Sequence, residues 1–145
     1  MSRLMYAAMA VGLILTACSS GRDIDGIWLL ETIAIPEEGD VVVHAGTDAD
    51  TTPWIRLTPT VEGHGGCNTL NQAGEPSATW NGEHLSTVRF VQTARGCLEP
   101  TRTIEEAFTN TLRHPGGIDV IFTEDGNSMI WESPTGVVVT LSRDR

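Results

Sequence analysis

Only one stretch of this chain is patterned for a helix, and that restricts the fold more than any other feature. In TIEEAFTNTLRH (103–114), Ile104, Ala107, Phe108 and Leu112 recur along one helical face, and Pro115-Gly116-Gly117 stops the run. Thr103, with Glu106 three residues on, reads as a capping box. Glu105 and Glu106 then read as first-turn acids that complement the helix dipole, not as an acid/base pair. The rest of the chain is written in short strands. Runs rich in β-branched and aromatic residues lie at 24–35, 41–45, 54–61, 77–80, 84–91, 118–123, 128–133 and 137–142. In 54–61, Trp54, Arg56 and Thr58 alternate with Ile55 and Leu57, as in a half-buried strand, and Pro59 puts the end of the run at an edge or bulge. Asn81-Gly82-Glu83 is a hairpin signal, and Asp125-Gly126-Asn127 and Pro134-Thr135-Gly136 allow the last three runs to pair antiparallel. Residues 46–53 are a loop by composition. One helix among about seven strands gives an α+β domain in which the helix covers one face of an antiparallel sheet.

The first twenty residues, MSRLMYAAMAVGLILTACSS, have a different character. Arg3 precedes a mostly apolar run of 14 residues, Leu4 to Ala17. Crossing a bilayer core of ~30 Å takes ~20 residues, so the run fits a secretory signal better than a membrane span. Leu15-Thr16-Ala17-Cys18 resembles a bacterial lipobox, in which the cysteine thiol is lipidated and the chain is cut before it. The expected organisation is therefore a lipoprotein signal peptide over 1–17, a lipidated tether over 18–25 and one domain over 26–145. Two or more acyl chains such as palmitate make a stable anchor, where a single chain is marginal. The expected location is the cell envelope, extracytoplasmic and attached to the membrane through Cys18.

Charge and cysteine count narrow the function. The formal net charge is −10, of which Arg3 supplies one positive charge, leaving about −11 after processing. Such a surface argues against nucleic acid, whose binding depends on neutralising phosphates. With Cys18 lipidated, Cys67 and Cys97 remain in an oxidising compartment, where two such thiols pair. Closing a loop of this length contributes about 3.6 kcal/mol in the chain-entropy account. Two chemical alternatives use the same residues. His64 and Cys67 could join Cys97 and His84 or His44 around a metal, but there is no second close ligand pair. Cys67 could act as a nucleophile beside His64, but GHGGCN matches no hydrolase elbow. No catalytic residue, metal or cofactor is therefore expected. The glycines of 63–66 read as permitting positive φ in a tight turn that Asn68 caps through its side chain. Trp28, Trp54, Trp80 and Trp131 read as core; the alternative is a ligand groove.

Three motifs occur in order: GHGGCN (63–68), TARGC (93–97) and EEAFTNTL (105–112), followed by a C-terminal hairpin. Together they resemble the META domain of HslJ-like heat-shock proteins, with its G-x-x-G-C-N, T-x-x-x-C and E-x-x-F-x-x-x-L elements. Gly63, Gly66, Cys67 and Asn68 match the first element, Thr93 and Cys97 the second, and Glu105, Phe108 and Leu112 the third. The resemblance covers roughly residues 24–143. It departs at Leu70 and the longer NQAGEP that follows, and at Ala94-Arg95-Gly96, where the family has Arg-Met-Ala. The resemblance implies a curved antiparallel sheet around one main helix, roles in stress tolerance and the envelope, and no shared reaction or catalytic set to carry over. The function expected is non-catalytic, either binding or envelope maintenance, with the membrane, an envelope protein or a small ligand as partners. Two alternatives are capture of a small molecule and inhibition of an attacking enzyme such as lysozyme. A pocket lined by tryptophans would mark the first, and an exposed rigid loop the second. A thiol or metal enzyme would need Cys67 and Cys97 free.

Overall fold

The computed structural model describes residues 23–36, 43–44, 51–75 and 78–144. The expected signal peptide, Cys18, most of the expected tether, residues 41–42 and 45 of the expected second strand, residues 46–50 of the expected loop, Ser77 and the His44 side chain lie outside them. Among the described residues no helix is long and apolar enough to cross a membrane.

The strands are β1 (Ile27–Ala34), β2 (Val43–His44), β3 (Trp54–Arg56), β4 (Glu62–His64), β5 (Thr69–Gln72), β6 (His84–Leu85), β7 (Phe90–Gln92), β8 (Ile118–Phe122), β9 (Ser128–Glu132) and β10 (Val138–Arg143), with helix α1 (Thr101–Arg113) between β7 and β8. Nine strands form one path, β6-β8-β9-β10-β1-β3-β4-β5-β7, and β2 pairs with β1 beside it. Each pairing is antiparallel. The sheet thus has more and shorter strands than the seven or so expected.

Alternation decides which side chains turn inward. In β8, Ile118, Val120 and Phe122 are buried while Asp119 and Ile121 are exposed. In β1 the inward set is Trp28 and Leu30 but then Ile33, because the register with β10 shifts between Leu30 and Thr32. A bulge there moves the inward face by one residue. Helix α1 lies in the hollow. Phe108 stacks on Trp131 of β9 with ring centroids 5.7 Å apart, while Glu105 bonds to the turn between β4 and β5. Those strands stand near opposite ends of the path, so one helix can touch both only because the sheet curls into a half-barrel around it. Burial of Phe108, Leu112 and Ile104 contributes roughly 1.5–3 kcal/mol per side chain.

Several expectations need correction. The run 84–91 does not continue as one strand. Thr87 Oγ1 donates to His114 O (2.8 Å) and Val88 N to Leu112 O (2.8 Å), so the chain turns toward the helix and β6 and β7 end at opposite ends of the path. Of the expected 77–80 strand, the described residues 78–80 form one bridge, Trp80 to Leu85, across the Asn81-Gly82 turn. The 54–61 strand stops at Arg56, before Pro59. The helix begins at Thr101, and its start is organised by Glu99, whose Oε2 accepts both the N–H (3.2 Å) and the hydroxyl (2.7 Å) of Thr103. No Thr103–Glu106 box forms, and neither Glu105 nor Glu106 falls in the first turn. The core reading of the tryptophans holds for Trp28 and Trp131, both fully buried, and for Trp80, which packs edge-on against Phe122; Trp54 is half-buried.

Candidate functional site

The turn 65–68 between β4 and β5 and the segment 93–100 between β7 and α1 meet at the start of the helix. Gly65 N donates to Asn68 O (2.8 Å), and Gly66, at φ +106°, takes a conformation that a side chain would strain. The other glycines serve close approach instead of positive φ. A Cβ on Gly63, which lies in β4, would stand 2.5 Å from Trp54 O, and one on Gly65 would stand 2.6 Å from the Glu105 carboxylate.

Cys67 and Cys97 form a disulfide with their Cα atoms 6.0 Å apart, joining the two segments. Asn68 reinforces the join. Its Oδ1 accepts from Arg95 N (2.7 Å) and Thr93 Oγ1 (3.0 Å), so it ties the turn to a distant segment instead of capping its own turn. Its Nδ2 donates to Glu105 Oε1 (2.5 Å), and its backbone N to Glu105 Oε2 (2.7 Å), which also accepts from Cys67 N (3.0 Å). Glu105 is only 4 % exposed. The expected dipole acid is thus a buried acceptor on which the turn is built. A signal for this was present: Glu105 stands three residues before Phe108 and seven before Leu112, on the apolar stripe itself. Six of the nine motif positions gather around this junction, while Gly63 packs against β3 and Phe108 and Leu112 anchor the helix in the core.

The metal reading meets specific geometry here. One ligand atom each from Cys67, Cys97 and Glu105 lie within 4.8 Å of one another. The sulfurs are bonded to each other, however, and both Glu105 oxygens accept N–H bonds, so no thiolate is on offer. His64 stands beside them with Nδ1 accepting from Gly66 N (3.1 Å). His84 is at the far end of the strand path, paired with Asp119 at 2.8 Å, so the expected set with His84 is not brought together, while the alternative ligand, the His44 side chain, lies outside the described residues.

The outer side of the junction is an exposed loop over an open cleft of about 400 Å³, lined by His64, Cys67, Arg95, Leu98 and Glu99 among others. Leu98 is 85 % exposed. The loop is held on both sides of it, by the disulfide at Cys97 and by Glu99, which also accepts from Arg102 Nε (2.7 Å). Hydrogen bonds from the Thr103 hydroxyl, then its backbone N–H and Arg102, hold the Glu99 carboxyl below its ordinary pKa. Sequence reading missed Leu98, whose exposure depends wholly on tertiary placement. A separate slot of about 310 Å³ is lined by Ile35, Ala107, Asn110, His114, Val137 and neighbours, and contains no tryptophan.

Residues 24–145 match the META domain. An NMR structure of a protein from Burkholderia xenovorans has the same fold, with a TM-score of 0.65 and 19 % identity over 99 % of each chain. No curated protein matches. The three motifs, the helix cradled in a curled sheet and the match over residues 24–145 together place this chain in the META domain family.

Proposed function

We propose that this is a lipid-anchored envelope protein of HslJ-like type that acts by binding a partner protein, with a role in envelope maintenance under stress, and that residues 93–100 form its contact surface. The observation that carries the reading is Leu98, a large apolar side chain 85 % exposed on a loop pinned at both sides. Isolated apolar residues are common on surfaces. Here the backbone is held before any partner arrives, and such preorganisation is what lets one anchor residue contribute strongly to affinity. The groups that thiol or metal chemistry would need are engaged elsewhere: Cys67 with Cys97, and Glu105 with three N–H donors. The rigid loop also supports inhibition of an attacking enzyme, whereas the slot of about 310 Å³ among the described residues is not lined by the tryptophans expected for a small-ligand role.

The lipid anchor is tested by membrane fractionation and palmitate labelling. Cys18→Ser moves the protein out of the membrane fraction and abolishes the label; unchanged labelling refutes the anchor. The contact surface is tested by placing a photo-crosslinking residue at Leu98 in cells, with Glu124 on the β8–β9 turn as control. A discrete adduct from Leu98 and none from Glu124 is expected. Equal adducts, or none from Leu98, refute this surface.

A further inference from the structure

Strand β7 ends the path and has a neighbouring strand on one side only. The bonds Thr93 N to Thr69 O (3.1 Å) and Ala73 N to Arg89 O (3.1 Å) show that residues 89 and 93 face β5, and with them, at a period of two, Val91. The N–H and C=O of Phe90 and Gln92 therefore point to the outer side. At Gln92 that side meets a cleft of about 480 Å³ between the end of β7 and the first turns of α1, lined by Gln92, Thr93, Arg95, Arg102 and Glu106 among others. Gln92 Oε1 is buried and, among the described residues, has no hydrogen-bond partner. A buried acceptor in that state is stabilised by a donor entering the cleft. Arg95 is exposed and has no ion-pair partner among the described residues, on a chain whose net charge is −10.

We infer that this cleft takes an extended peptide segment of a partner protein, carrying a carboxylate, which adds to the outer side of β7 at Gln92. A backbone N–H of the segment donates to Gln92 O, its C=O accepts from Gln92 N, a side-chain donor such as a hydroxyl reaches Gln92 Oε1, and its carboxylate pairs with Arg95. Arg95, Gly96 and Cys97 line both this cleft and the one beneath Leu98, so the inference rests on the reading of 93–100 as the contact surface and extends it.

The test uses oxidised, ¹⁵N-labelled protein spanning 19–145 and the peptide acetyl-Thr-Val-Thr-Val-Glu-Glu. The expected result is binding near about 1 mM, with shifts at Gln92 and Arg95 and slowed hydrogen exchange of the Gln92 amide. Gln92→Pro removes the outward donor but leaves the inward bonds of Val91 and Thr93, and Arg95→Glu reverses the charge without touching the backbone. Each lowers affinity about tenfold or more, as does backbone N-methylation of the peptide. If Gln92→Pro does not fold, Arg95→Glu and the methylated peptide decide the matter on the native backbone. No shift at Gln92 with the peptide at about 5 mM overturns the inference, as does equal affinity for Arg95→Glu and the methylated peptide. A Leu98 crosslink that persists in Arg95→Glu, alongside a failed titration, leaves the binding reading standing and removes only this inference.

Discussion

Replacing Glu105 by glutamine tests the account of the junction most directly, because it removes one acceptor oxygen and almost no volume. Oε2 accepts from the backbone N–H of Cys67 and Asn68, and Oε1 from Asn68 Nδ2. A glutamine has one oxygen and one NH₂ group. If the oxygen stays with the two backbone donors, the NH₂ faces Asn68 Nδ2, donor against donor. If it turns the other way, the NH₂ faces two backbone N–H groups. Asn68 cannot flip to relieve this, because its Oδ1 is committed to Arg95 N and Thr93 Oγ1. The change therefore loses at least one hydrogen bond to a carboxylate, worth roughly 1.5–3 kcal/mol, and leaves a buried donor unpaired. Urea unfolding of the oxidised protein should show Glu105→Gln destabilised by roughly 2–3 kcal/mol, or roughly 8–12 °C in Tm for a domain of this size. Glu106→Gln, one residue on and exposed, should stay within about 0.5 kcal/mol. Equal, small effects for the two glutamates would refute the reasoning and show that Glu105 contributes no more than the exposed Glu106.

Reducing the Cys67–Cys97 disulfide should lower stability by about 3.6 kcal/mol through the entropy of the loop it closes; an unchanged urea midpoint would exclude this. Gly63→Ala should cost about 1–3 kcal/mol, because its Cβ would stand 2.5 Å from Trp54 O and β3 and β4 would have to separate; a midpoint equal to that of the native chain would show that the strands yield freely. The hydroxyl of Thr123, then the side chain and backbone N–H of Asn127, hold the Asp125 carboxyl down to about 2, against an ordinary 3.8. A folded pKa below the unfolded one means stabilisation that is fully present above the ordinary value and is lost as the pH falls through about 2. The Tm difference between the native chain and Asp125→Ala should accordingly narrow over that window, and a difference independent of pH would contradict it.

How much of this was legible in the sequence divides along the range of the forces involved. The helix over 103–114, the last three strands and the alternation of Trp54, Arg56 and Thr58 against Ile55 and Leu57 depend on local periodicity, and the structure has them within a residue or two. Pairing of Cys67 with Cys97 followed from a count and an expected compartment, and the structure holds that disulfide. The ordered motifs pointed to the META domain for the same reason: each is a short string whose residues are neighbours in sequence. What no local pattern carried was where those strings meet. Glu105 looks like a surface acid until the β4–β5 turn brings two backbone N–H groups and Asn68 Nδ2 against it, at sequence separations of 37 and 38. Gly63 and Gly65 look like turn residues until the neighbouring strand and the helix fill the space a Cβ would need. Splitting 84–91 between the two ends of the sheet, and setting Leu98 exposed on a loop pinned between the disulfide and the helix start, likewise depend on the helix docking into a curled sheet. Periodicity assigns a residue to a face; only the closed packing of distant segments decides what that face touches.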